Sequence, residues 1–560
     1  MSDDSTQPGG RTVKNSSGVD RRNFVGLAAL GTALGFARPL IGDQSDLTPL
    51  PAQTKPPQSF ELEEITVSEL QRGLESGRFT AKSLTAAYLE RIDAVDKRGP
   101  AINAIIEINP DAGSIAEELD RERKEGRVRG PLHGVPVVIK DNIDTADRMH
   151  TTAGSLALEQ SVAARDAFLV RKLREAGAVI IGKTNLSEWA NFRSTHSSSG
   201  WSARGGQTRN PYVIDRNPCG SSAGTGTAVS ANLAAIGVGT ETDGSIVCPS
   251  SASALVGIKP TLGFISRSGI IPISHSQDTA GPMARTVTDA AILLGALAGV
   301  DSLDSVTAGS HKKTSPDYTK FLERDGLKGA RVGVARKYFG FNDRVDTLMN
   351  NAIDVMKKEG ATIVDPADMV TAGKYDESEF EVLLFEFKAG INKYLSRLSP
   401  KVRTRNLADL IEFNEANRER EMPYFGQEIF LKAEKKGPLS SPQYRKALAR
   451  NHRLSRGQGI DATLARHRLD AMIAPTGGPV WPTDLINGDH YSGGYSTASA
   501  VSGYPHITVP AGFVLGLPVG ISFFAGAWSE PKLIRLAYAF EQATRVRRAP
   551  RFLATAPLRE

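Results

Sequence analysis

The sequence predicts an α/β fold: a large mixed β-sheet core surrounded by α-helices. Two observations predict it. From about residue 130, short Val/Ile-rich runs alternate with stretches of helical periodicity. The composition is that of an ordinary globular chain, 40% hydrophobic and 23% charged over 560 residues, which is long enough to bury a sizeable core.

The elements follow in order. Thr66-Val-Ser-Glu69 is a capping box that opens a helix through Leu70 and Leu74. Leu84, Ala87, Tyr88, Arg91, Ile92 and Val95 recur at helical spacing and predict a second helix. Val135 to Ile139 reads as a buried strand. Residues 166–176 read as a helix ended by Gly177, and Ala178 to Ile181 as the next strand. Ala234 to Gly239 is strand-like. Arg331 to Ala335, a helix from Asp343 to Glu359, and Thr362 to Val364 form a further unit. Late strands are expected at Ala471 to Ala474, His506 to Val509 and Val519 to Phe524. Residues 373–460 are rich in Arg, Lys and Glu and predict a peripheral helical layer. That layer is either a solvated face or the cover of a cleft, and the sequence admits both.

Composition excludes several classes of function. Lys+Arg total 68 against 62 Asp+Glu, a net charge of +6, which is thin for a nucleic-acid partner. No apolar run approaches the roughly 20 residues of a membrane span, so stable membrane insertion is not expected. Cys219 and Cys248 form neither a CxxC nor a zinc-spaced Cys/His set, so no metal is expected. A bridge between them is conceivable, but two buried free thiols are the favoured reading.

At the start of the chain, Asp20-Arg21-Arg22-Asn23-Phe24-Val25 precedes a short, weakly apolar run from Gly26 to Ala37. Paired arginines, an apolar run and the small residues Gly35 and Ala37 predict a twin-arginine export signal over residues 1–37. An exported, periplasmic or secreted location follows from it. Residues 38–59 read as a Pro-rich linker, 60–545 as a single domain, and 546–560 as a basic tail. The run Arg545 to Arg551 is expected to be a solvated end.

The chemistry is densest in two Gly/Ser loops, Pro218 to Gly226 and Gly239 to Ile246. Glycines let backbone N–H groups approach a ligand, and such groups can hold a developing oxyanion. A serine in such a loop is a candidate nucleophile. Gly220-Ser-Ser222-Ala-Gly224 matches the G-x-S-x-G elbow, with Ser222 as nucleophile of a Ser-His-Asp esterase. His467, His490 and His506 are available to that reading, none in a distinctive context. Ser310-His-Lys-Lys313 matches S-x-x-K but lacks its partner motifs. Cys248 has no histidine beside it in sequence and reads as a small core residue. Asn185 and Glu188 fit structural hydrogen bonding.

The block from Gly220 to Pro260 resembles the amidase signature family. So do Gly130 to Asn142, Thr152-Ala-Gly-Ser155, Gly182 to Trp189 and the region Ile507 to Ala525, so the likeness spans roughly residues 60–545. Gly200 to Gln207, Glu241-Thr-Asp-Gly-Ser245 and Ser274 to Asp278 are most similar to bacterial peptide amidases. The resemblance implies the amidase signature fold and hydrolysis of a carboxamide, small-molecule or peptide, without a cofactor. It implies Ser245 as nucleophile and Ser221, 24 positions earlier, as a serine on a cis peptide bond that bridges nucleophile and base. Lys140 is then the base, and the N–H groups of Thr242, Asp243, Gly244 and Ser245 form the oxyanion hole, with Ser222 a supporting hydroxyl. The A-type subunit of a tRNA-dependent amidotransferase is the alternative; it needs cytosolic partners, which the export signal opposes.

Physical reasoning fits these roles. An amide nitrogen must be protonated as its C–N bond breaks, so one group that takes the serine proton and returns it to nitrogen serves both steps. Lysine does this only when neutral, which requires a pKa well below about 10.4. Burial at the end of the apolar strand lowers it. Asp141 would oppose that if it faced the amine, so it is expected to point away.

Overall fold

A computed structural model describes residues 60–557 of the chain. The export signal and linker expected over residues 1–59 lie outside the described residues. Strands form at each of the eight runs the sequence predicts, and five more form where it predicted none. They are β1 (Ile105–Ile108), β2 (Pro136–Lys140), β3 (Val179–Thr184), β4 (Trp201–Ser202), β5 (Gly206–Gln207), β6 (Ile236–Glu241), β7 (Val256–Lys259), β8 (Thr279–Ala284), β9 (Arg331–Val334), β10 (Thr362–Val364), β11 (Ala471–Pro475), β12 (His506–Val514) and β13 (Leu517–Phe524). Eleven of them make one sheet in the order β1-β3-β2-β6-β8-β7-β12-β13-β11-β9-β10. The sheet is mixed. β3-β2-β6 and β11-β9-β10 run parallel, and the pairs between these blocks are antiparallel. Strands buried on both faces, such as β2, β6 and β13, are built mostly of apolar and small residues, as sheets covered by helices require, with Lys140 and Glu241 the charged exceptions at the ends of β2 and β6. This is the expected α/β class.

Local details also match. The capping box is present: Glu69 N donates to Thr66 Oγ1 at 3.2 Å, and Thr66 N donates to Glu69 Oε2 at 2.8 Å. The second helix, Ala81–Arg91, passes into a wider π-helical turn at Ile92–Lys97 rather than continuing unbroken. β3 runs three residues beyond its predicted end, because Gly182, Lys183 and Thr184 pair with β1 on one side and β2 on the other.

Two expectations are corrected. Cys219 and Cys248 are not free thiols; they form a disulfide, with Cα atoms 6.0 Å apart. The loops that carry them fold onto each other, as the bond from Ser222 N to Ser245 O at 3.2 Å shows. A separation of 29 positions hid that proximity. The basic tail is not a solvated end. Arg547 pairs with Glu64 at 2.7 Å, and Leu553 bridges Val213 as a short parallel strand contact. Phe552 is buried, so apolar residues among the arginines anchor the tail.

Residues 373–460 are helical, with helices at Asp376–Leu395, Leu407–Ala416, Glu428–Glu434 and Pro442–Ser455. Their inner face is apolar. Phe387, Ile391 and Phe430 pack with Trp189, Phe192, Ile271 and Ile273 in one buried cluster. Arg193 pins this layer to the rest of the fold. It is fully buried, pairs with Glu188, lies 3.6 Å from Glu421 and stacks over the Phe425 ring at 4.4 Å. Its guanidinium also donates to the carbonyl oxygen of Glu421 at 2.5 Å. Removing one member of such a buried set leaves the others uncompensated. Arg193→Met is therefore expected to destabilise the fold by about 3–5 kcal/mol, read as a lower midpoint in urea denaturation; an unchanged midpoint would show that the layer is held by apolar packing alone.

Candidate active site

The site sits where β2 and β6, neighbours in the sheet, end together. Lys140 is the last residue of β2. β6 ends at Glu241, and the chain then turns through Thr242-Asp243-Gly244-Ser245 into the helix Val247–Ala252. Gly244 holds that turn with φ +77°, which favours glycine. Ser221 and Ser222 lead into the helix Ala223–Ser230. That helix lies close on its neighbours: a Cβ on Gly224 would stand 2.3 Å from the Ala104 carbonyl oxygen, and one on Gly226 2.9 Å from that of Pro249. The small residues of this block thus let the two serine-bearing loops approach.

Lys140 is fully buried. Its Nζ lies 2.7 Å from Ser221 Oγ, 2.9 Å from Thr240 Oγ1 and 3.4 Å from the Thr240 carbonyl oxygen. Burial lowers the amine to about 7, while the more distant charges of Asp278 and Glu241 pull it upward. Asp141 points away, as a neutral amine requires: it accepts from Thr152 Oγ1 and lies 3.8 Å from Arg204 Nη1. The Gly220–Ser221 peptide bond is cis. The Ser221 carbonyl accepts from Ser187 N at 3.1 Å, which fixes the loop from behind.

The Ser245 loop is held at both ends. Glu241 Oε2 accepts from Ile246 N at 2.8 Å and Val247 N at 3.1 Å, capping the helix that follows Ser245. Thr242 Oγ1 donates to Asp278 Oδ1 at 2.6 Å, and Asp278 Oδ2 accepts from the backbone of Ile273 and Ser274. Burial pushes the Asp278 carboxyl up to about 6. Between these anchors, among the described residues, no hydrogen-bond partner takes the backbone N–H of Thr242, Asp243, Gly244 or Ser245. Ser245 retains 8% exposure. The Asp243 carboxyl is raised by burial, against hydrogen bonds from Ser496 and Thr497.

A narrow cleft meets this centre; Ser221, Thr240 and Asn142 line it, with Ile270, Ile271 and Ile273 on its apolar side. The cleft thus offers a polar end at the hydroxyls and an apolar wall.

The structure brings Lys140 to Ser221, and Ser222 N to the Ser245 carbonyl. The Ser222 hydroxyl is turned inward: it donates to the Thr240 carbonyl at 3.0 Å and accepts from Thr240 N at 3.2 Å. Of the histidines available to an elbow reading, His506 is buried against Ser522 Oγ at 2.6 Å and His490 pairs with Asp484 at 3.1 Å. Neither is a partner of Ser222. Sequence reasoning missed Thr240 and Asn142, whose Nδ2 donates to Thr240 Oγ1 at 3.0 Å. Their positions, one just before the predicted oxyanion loop and one two residues after Lys140, were the available signal.

Comparison with known proteins agrees with this architecture. A solved structure of native peptide amidase from Stenotrophomonas maltophilia is 51% identical, with a TM-score of 0.84, covering 88% of this chain and all of that one. A probable amidase of Arabidopsis thaliana is 44% identical over 505 residues, 89% of this chain and 93% of that protein. The A-type subunit of the glutamyl-tRNA(Gln) amidotransferase of Thermoanaerobacter pseudethanolicus is 34% identical, over 89% of this chain and all of that protein. The family model for Amidase matches residues 83–534, and the chain belongs to the amidase family, whose signature fold and amide-hydrolysing chemistry it shares.

Proposed function

We propose that the protein hydrolyses C-terminal amides of peptides, or closely related carboxamides, through a seryl acyl-enzyme built on Ser245, Ser221 and Lys140. The observation that carries this reading is the 2.7 Å contact between Lys140 Nζ and Ser221 Oγ, in a site where burial lowers the amine to about 7. Ser245 Oγ attacks the amide carbon; its proton passes to Ser221 as the Ser221 proton passes to neutral Lys140. The unpartnered N–H groups of residues 242–245 take the developing oxyanion. The proton returns through Ser221 to the amide nitrogen, the C–N bond breaks, and ammonia or amine leaves. Water then hydrolyses the ester and frees Ser245. Ser222, bonded through both its hydroxyl and its N–H to the surrounding loops, supports the frame. The likeness to a peptide amidase supports the choice of peptide amides.

A second reading, in which the chain transfers the ammonia it releases, is favoured by the amidotransferase relative. A hydrolysis screen of the isolated protein over peptide amides, anilides and short aliphatic amides separates the two. Turnover of amidated peptides to free acid without any partner supports hydrolysis. Release seen only on addition of partner proteins supports transfer.

Export by the twin-arginine route completes the proposal. The paired Arg21 and Arg22 support it, as does the Cys219–Cys248 bridge, since disulfides persist in oxidising compartments.

Four outcomes are expected. A serine-directed fluorophosphonate should label the protein once, on the peptide containing Ser245, and Ser245→Ala should abolish both labelling and turnover while the fold remains; labelling of Ser222 would restore the elbow reading. Amide hydrolysis should fall as pH drops through about 7, because Lys140 is a base only when neutral and lower pH protonates it. Lys140→Ala should lower amide turnover on the order of 10²–10⁴-fold and ester turnover less, since an alkoxide needs less help to leave; full amidase activity in that variant ends the lysine role. In a twin-arginine-competent host, the native protein should leave the cytoplasm shortened near Ala37, whereas the double Arg21→Lys, Arg22→Lys form stays inside at full length; equal export of both forms would refute the signal.

A further inference from the structure

Thr240 stands at the end of β6, beside Lys140 on β2, and it offers the amine two oxygens. Its hydroxyl lies 2.9 Å and its carbonyl 3.4 Å from Lys140 Nζ, while Ser221 Oγ lies at 2.7 Å on the third side. A neutral amine has two N–H bonds and one lone pair. If the lone pair is to face Ser221, both hydrogens need acceptors elsewhere. Thr240 supplies both. Its carbonyl also accepts from Ser222 Oγ at 3.0 Å, so that oxygen's two acceptor positions are filled. Its hydroxyl accepts from Asn142 Nδ2 at 3.0 Å, which leaves one lone pair for the amine.

We infer that Thr240 is the positioning residue of the proton relay: it holds both amine hydrogens of Lys140 so that the lone pair points at Ser221. The inference rests on the proposed roles of Lys140, Ser221 and Ser245. It adds that the side-chain hydroxyl of a strand residue, and not burial alone, aims the base. The same hydroxyl accepts a hydrogen bond from the charged amine, so it stabilises the ammonium form as well. Losing it should therefore slow proton transfer and lower the pH at which the amine titrates.

The other charged groups around Lys140 remain in place when Thr240 is changed. Glu241 at the end of β6 and Asp278 ahead of β8 both favour the charged amine. On β3, Thr184 is paired with Lys140, and Lys183 turns to the Ile143 carbonyl and Thr151. Asp141, next to Lys140 and just past the end of β2, faces Thr152. The segment Gly220–Ala231 carries no titratable residue.

The test is the rate of labelling by a short-chain alkyl fluorophosphonate, measured against probe concentration and pH in the full-length protein. This probe needs no knowledge of the natural substrate, and it separates the limiting rate from the half-saturating concentration. For Thr240→Val the limiting rate at high pH should fall roughly tenfold or more, with little change in the half-saturating concentration. The acid limb should move to lower pH by about one unit, the worth of one charge-assisted hydrogen bond. Thr240→Ser, which keeps the hydroxyl, should restore both the rate and the limb. A merely structural role would lower the rate without moving the limb. Thr240→Ala replaces the valine variant if circular dichroism and thermal melting show that valine is not accommodated. A wild-type rate and limb without the hydroxyl, or equal damage from serine and valine, overturns the inference. Absent labelling of the wild type, or labelling on Ser222, overturns the relay itself and the role of Thr240 with it.

Discussion

The burial of one amine governs the active site. Lys140 is surrounded by hydroxyls and a carbonyl rather than by a carboxylate in contact. A carboxylate at hydrogen-bond distance would hold the amine charged and useless as a base; an apolar pocket without acceptors would strand its hydrogens. The sheet resolves both constraints by pairing β2 with β6, so that a lysine at one strand end meets a threonine at the other. Acids are present nearby but are occupied elsewhere, Asp141 with Thr152, Asp278 with Thr242 and backbone N–H groups, Glu241 with the cap of the helix after Ser245. Each is thereby an anchor of a loop instead of a partner of the amine.

Legibility in the sequence followed the physics of each element. Strands such as β2 and β13 were visible because burial on both faces demands uninterrupted apolar residues. The extension of β3 through Gly182 and Lys183 was not, since a glycine and a lysine argue against a strand until both neighbours are known. Lys140, Ser221 and Ser245 became distinctive only together, through the family likeness; singly, a lysine and loop serines are commonplace. Thr240 stayed hidden because a threonine in a strand is what β-propensity alone would place there. The disulfide and the packed tail depend on contacts between segments far apart in sequence, which no local pattern reports.

The helical layer of residues 376–455 does more than shield the sheet. Ile271 and Ile273, which line the cleft, also belong to the apolar cluster made with Phe387 and Phe430. Ser274 Oγ and Ser276 N both bond to Glu386, and Gln277 Nε2 donates to Glu379 at 2.8 Å. One wall of the cleft is therefore set by the layer, so its shape is coupled to those helices. Variation in the layer's inner face is a route to altered cleft shape that leaves the Lys140 environment unchanged.

The Cys219–Cys248 bridge has a topological consequence. It closes a covalent ring that contains Ser221, Ser222, the whole of β6 and Ser245. A ring of this span removes on the order of 3–4 kcal/mol of chain freedom from the unfolded state. It also means that a cut in the backbone anywhere inside the ring leaves a single molecule: both serines would stay tethered to one another and to the two flanking portions of the chain, whereas a cut just outside it would not be so contained.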